Sequence, residues 1–87
     1  MENTLNAEIP LSDFYLVCYL LTAGIELIRT EKQTPRKTLF VLRNSAKCQK
    51  SITLYFNNHA KVNPLAFKSQ IINLKSLLYS QEGSCQR

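Results

Sequence analysis

Tryptophan is absent from this 87-residue chain, histidine and aspartate occur once each, and glycine only twice. Two glycines cannot build a loop that cradles phosphate, and no nucleophile motif accompanies the lone His59 and Asp13. His59 sits in the polar stretch Asn57-Asn-His-Ala-Lys61, where a surface histidine needs no task, and Asp13 reads as a helix N-terminal charge. No acid, base and nucleophile set can be named, so the expectation is a protein that is not an enzyme and takes no small-molecule substrate.

Long apolar runs are also missing. The longest, Phe14 to Ile28, is interrupted by Thr22, Gly24 and Glu26 and is shorter than the ~20 residues a bilayer-spanning helix needs. Cys18, Cys48 and Cys85 are odd in number and far apart, with no secretory signal, which predicts reduced thiols in a cytoplasmic protein. The spacing of Cys18, Cys48 and His59 matches no zinc pattern, so neither metal nor cofactor is expected.

One further absence is regional. From Lys32 to Gln81 there is no aspartate or glutamate, yet nine cations: Lys32, Arg36, Lys37, Arg43, Lys47, Lys50, Lys61, Lys68 and Lys75. Residues 1–31 hold five acids against Arg29 alone, so the net of +5 divides into an acidic first third and a strongly basic remainder. Such a pole draws polyanions without saying which.

What is present fits one small domain near the lower size limit for a single hydrophobic core. Ser12-Asp13 caps the apolar run Phe14–Leu21, which stops at Gly24 and predicts a first helix. Phe14, Val17, Cys18 and Leu21 keep helical spacing, but Tyr15, Leu16, Tyr19 and Leu20 make the other faces apolar too. Such a helix is either central or paired with another chain, and Tyr15 and Tyr19 are candidate interface residues.

Ile25–Thr30 and Lys37–Arg43 are rich in β-formers and predict a hairpin. Between them Glu31–Arg36 lacks the Asn-Gly or Asp-Gly of a two-residue turn, which predicts a long mobile tip. Asn44 and Ser45 introduce a second helix, with Cys48, Ile52, Tyr55 and Phe56 on one face, fraying near Asn57-Asn58. Asn63-Pro64 opens a third toward Tyr79, with Phe67, Ile71, Leu74 and Leu78 as its stripe.

The fold class is therefore α+β, a single domain of helix-strand-strand-helix-helix with a two-stranded antiparallel hairpin packed on helices. Its bounds are an N-terminal extension over 1–11, a compact domain over 12–80 and a polar tail over 81–87 that frays.

The blocks LSDFYLVCYLLTAG (11–24), TLFVL (38–42), YFNNHAKVNPLAF (55–67) and LKSLLY (74–79) resemble a family of small bacterial and phage-associated domains of unknown function. The resemblance implies one compact domain and a phage or mobile-element setting, and brings no catalytic residues with it.

Two functions from different classes follow. In the first, the nine cations hold RNA or DNA by its phosphates, with Tyr55, Phe56 and Phe67 as candidate base-stacking rings. In the second, the basic surface of a protein-interaction module or inhibitor meets an acidic patch on a larger protein. The all-round apolar helix and the small sheet also predict a homodimer or a permanent complex.

Overall fold

The computed structural model describes residues 7–86, with side chains for residues 7–80. The strands and helices run β1 (Glu8–Leu11), α1 (Phe14–Thr22), β2 (Leu27–Thr34), β3 (Lys37–Arg43), α2 (Ala46–Phe56) and α3 (Pro64–Gln86). The α+β class and the order helix, strand, strand, helix, helix are as the sequence predicts.

The sheet has three antiparallel strands rather than two, in the order β1-β3-β2. The added strand, Glu8–Leu11, lies within the N-terminal extension that the sequence predicts over 1–11. Ile9 and Leu11 pair with Leu42 and Phe40, so β1 turns its two apolar residues inward and Glu8 and Pro10 outward. Pro10 is tolerated because β1 is an edge strand.

The hairpin tip is short. β2 continues to Thr34, which pairs with Lys37, leaving only Pro35 and Arg36 in the turn. Thr34 Oγ1 accepts from the Arg36 amide at 3.2 Å, a hydroxyl closing the turn without glycine. Irregularities between Leu27 and Arg29 and between Lys32 and Thr34 adjust the register along β2.

α1 is the central element. Leu16, Val17, Cys18, Tyr19 and Leu20 are all buried, which is possible only for a helix covered on several sides. The sheet covers it with Phe40 and Leu42, α2 with Cys48, and α3 with Leu74, all in one cluster. Tyr19 is thus a core residue, not an interface residue: its ring packs on Tyr55 with centroids 5.8 Å apart.

Helix ends follow local chemistry. Asp13 Oδ1 accepts from the Leu16 amide at 3.1 Å, and Ser45 Oγ accepts from Cys48 at 3.1 Å. α1 stops where Gly24 adopts φ +97° and Gly24 and Ile25 donate to the Leu21 and Leu20 carbonyls. α2 ends the same way instead of fraying. Asn58, at φ 63°, donates to Tyr55 and His59 donates to Leu54. Asn63 Oδ1 accepts from Leu65 and Ala66, and α3 then continues as a backbone helix past Ser80 to Gln86, where a tail was expected.

Ser51 takes the buried slot on α2 that Phe56 was expected to share, and Phe56 is exposed. The cause is angular: Cys48, Ser51, Ile52 and Tyr55 center on one direction, and Phe56 lies nearly a quarter-turn away.

Candidate functional site

The sheet's outer face carries a charge network that the sequence does not announce. Arg29 Nε donates to Glu31 at 2.8 Å and its Nη1 to Glu8 at 2.9 Å, while Arg43 Nε donates to Glu26 at 2.8 Å. These hydrogen bonds hold both guanidinium pKa values above their ordinary range. Acids from the first third of the chain thus return to meet these arginines. Arg43, a candidate nucleic-acid contact, is ion-paired with Glu26.

The nine cations do not form one row. Arg36 and Lys37 stand at the hairpin tip and Arg43 at the far end of β3, six residue steps or about 20 Å away. Lys47 lies beyond that far end, its Nζ 3.3 Å from where a Cβ on Gly24 would stand, and Lys50 is one turn further along α2. Lys61 is on the α2–α3 connection and exposed, Lys68 and Lys75 are exposed on α3, and Lys32 lies opposite Thr38 on β2.

A subset does converge. Phe14, Tyr15, Lys75, Leu78 and Tyr79 line an apolar groove of about 380 Å³ between α1 and α3. Beside it, a second depression of about 240 Å³ shares Phe14 and Leu78 and is bounded by Arg36 and Lys37. The hairpin tip, the start of α1 and the last described side chains of α3 therefore meet at one end of the molecule. Tyr15 is exposed there, its ring edge-on to Phe14 with centroids 5.2 Å apart. No described acid pairs with Arg36, Lys37 or Lys75.

Sequence reasoning named Tyr15, Arg36, Lys37 and Lys75 but missed Phe14, Leu78 and Tyr79 as surface residues. Phe14 and Leu78 fit the buried stripes of their helices, and only the packing of the tip against both helices reveals that they also line open space.

The stacking candidates divide. Tyr55 lies against Tyr19 and Phe67 packs on the core, leaving Phe56 exposed. Burial raises the Cys18 thiol pKa to about 11, against the opposing charge of Lys75, and raises that of Cys48 despite a hydrogen bond with Ser45. Both thiols are free. Among the described residues no three of His, Cys, Asp and Glu gather as metal ligands, and no helix is long and apolar enough to cross a membrane.

No curated protein and no solved structure matches the chain. A family model does match, over residues 6–80, and its span takes in β1, all of the core and the groove. The chain therefore belongs to the domain of unknown function family DUF5659.

Proposed function

We propose that this domain is a non-catalytic docking module that takes an acidic segment of a partner protein in the groove framed by Phe14, Tyr15, Leu78 and Tyr79. Lys75, Arg36 and Lys37 supply the opposing charge. One observation supports this reading above the others: cations without a described acid partner gather around an apolar, aromatic depression, while Arg29 and Arg43 are balanced by Glu8, Glu31 and Glu26. Apolar anchors inside a charged rim are the anatomy of a protein-binding surface.

A phosphate-backbone ligand asks for something different, a run of cations along its path. The separation of Arg36 and Lys37 from Lys47 and Lys50 favors the protein ligand.

Fluorescence anisotropy with two labelled probes tests the choice: a glutamate-rich peptide carrying one phenylalanine, and an oligo-uridylate of matched charge. The peptide is expected to bind, with affinity about tenfold weaker for Tyr15→Ser or Lys75→Glu. Tight oligonucleotide binding with a log–log salt slope of about −4, the mark of roughly six phosphate contacts, overturns the reading in favor of nucleic acid.

A further inference from the structure

The two depressions that meet at Phe14 and Leu78 differ in chemistry. The larger is framed by aromatic and leucine side chains, with Lys75 its one cation. The smaller, about 240 Å³, has an apolar base of Phe14, Phe40 and Leu78 and a rim of two cations and two hydroxyls, Arg36, Lys37, Ser12 and Thr38.

The chain builds that rim from three places. The two-residue turn ends at Arg36, so the guanidinium and the Lys37 ammonium follow one another at the hairpin tip. Thr38 stands two residues before the buried Phe40 on β3 and shares its face, and Ser12 comes from the connection between β1 and α1. Hydroxyls elsewhere are committed: Thr22 and Thr53 donate to carbonyls, and Thr34 and Ser45 accept from amides. Those of Ser12 and Thr38 engage no described group. Asp13, beside Ser12, is absent from the lining: its Oδ1 holds the Leu16 amide, and its charge acts on Tyr55 of α2.

A planar five-donor fork, an ammonium and two hydroxyl donors exceed what the two oxygens of a carboxylate can use, but they suit the three oxygens of a phosphoryl dianion. The apolar base beneath them suits a ring. At about 240 Å³ the cavity is smaller than a drug-sized site and takes one side chain. We propose that the depression between the hairpin tip and the start of α1 holds the phosphotyrosine side chain of a docking partner, its ring on Phe14, Phe40 and Leu78 and its phosphoryl group on Arg36, Lys37, Ser12 and Thr38. This rests on the docking function above and names the acid that the partner presents.

The test titrates the full-length ¹⁵N-labelled protein with phenyl phosphate, phenylacetate, inorganic phosphate and adenosine monophosphate, beside the glutamate-rich peptide carrying one phenylalanine. Phenyl phosphate is expected to shift the amides of residues 12 and 36–38 and to bind about tenfold more tightly than phenylacetate or inorganic phosphate. Its affinity should fall several-fold from about pH 7.5 to about pH 5, as the phosphoryl group, with a second pKa of about 6, takes up a proton. Arg36→Ala/Lys37→Ala abolishes these shifts with the circular dichroism unchanged, and Thr38→Val weakens binding several-fold. Glu82→Gln, which removes the acid one turn past Leu78 on α3, keeps the preference for phenyl phosphate. Equal affinity for phenyl phosphate and phenylacetate, unchanged binding by the Arg36→Ala/Lys37→Ala variant, or tighter binding of adenosine monophosphate overturns the phosphotyrosine site. Peptide-induced shifts at Tyr15 and Tyr79 with no response to phenyl phosphate overturn the pocket and leave the groove function standing. No response to any probe overturns both.

Discussion

Arg29 on β2 and Glu8 on β1 are joined at 2.9 Å although β3 lies between their strands, so one side chain bridges the sheet from edge to edge. Its register partner is Val41, and the alternation along β3 puts Val41 on the face away from the helices. Val41 is nonetheless only 3% exposed. Arg29 reaches across β3 to Glu8 from the position opposite Val41, which accounts for a valine on the outer face that stays dry.

Arg29 should therefore stabilize in two separable ways. Arg29→Lys keeps a stem and a charge but loses the paired geometry, whereas Arg29→Ala uncovers Val41 as well. Thermal unfolding is expected to rank wild type above Arg29→Lys above Arg29→Ala. Raising the salt to 1 M should narrow the first gap, because both ion pairs are half-exposed, and leave most of the second.

Two leucines provide a direct comparison of inward and outward surfaces. Leu20 is fully buried in α1, and Leu20→Ala should cost about 2–5 kcal/mol in urea unfolding, enough to leave so small a domain largely unfolded. Leu65→Ala should change stability by less than about 0.5 kcal/mol. A large loss at Leu65 would mean that the outer face of α3 belongs to the fold.

At Gly24 the backbone, not space, limits substitution. A Cβ there meets only the movable end of Lys47, but φ is +97°. Gly24→Ala should destabilize by about 1–2 kcal/mol, and the added change Lys47→Ala should not restore stability. Rescue by that second change would show crowding to be the cause.

The buried thiols predict a response to alkali. Cys18 has its pKa raised from 9.0 to about 11 by burial, so the folded state holds its proton where the unfolded state releases it. The resulting stability is complete below about pH 9 and is lost as the pH climbs toward 11, in the same direction as for Cys48 and Tyr55. In a Cys85→Ser background, Ellman's reagent at pH 8 should find both remaining thiols slow to react until denaturant is added. Fast native reaction would contradict their burial.

Where one local signal dominates, the sequence was legible. Ser45 and Asn63 each cap the helix they precede, Asp13 rather than the Ser12 hydroxyl caps the first, and the strand Lys37–Arg43 has the predicted limits. Signals in conflict concealed the rest. Pro10 masked the alternation of Ile9 and Leu11, and the polar run Glu31–Thr34 gave no apolar pattern because it pairs at the sheet's end, beyond the core. The charge pole on the sequence was real as composition but not as surface. Glu8 and Glu26, 21 and 17 residues from Arg29 and Arg43 in the chain, reach them only after folding. Of the candidate site, the cations and Tyr15 could be listed from the sequence, but their grouping depended on where the hairpin tip lands.

The first strand has a practical consequence for anyone trimming the chain. A version starting at Ser12 keeps every helix and looks like a tidy minimal unit, yet it strips one flank of β3 of its ladder partner and uncovers Leu42 and Phe40 beside it. That raw flank is the most apolar strand of the molecule, ready to template another chain, so the shortened form should precipitate where the intact one stays dispersed.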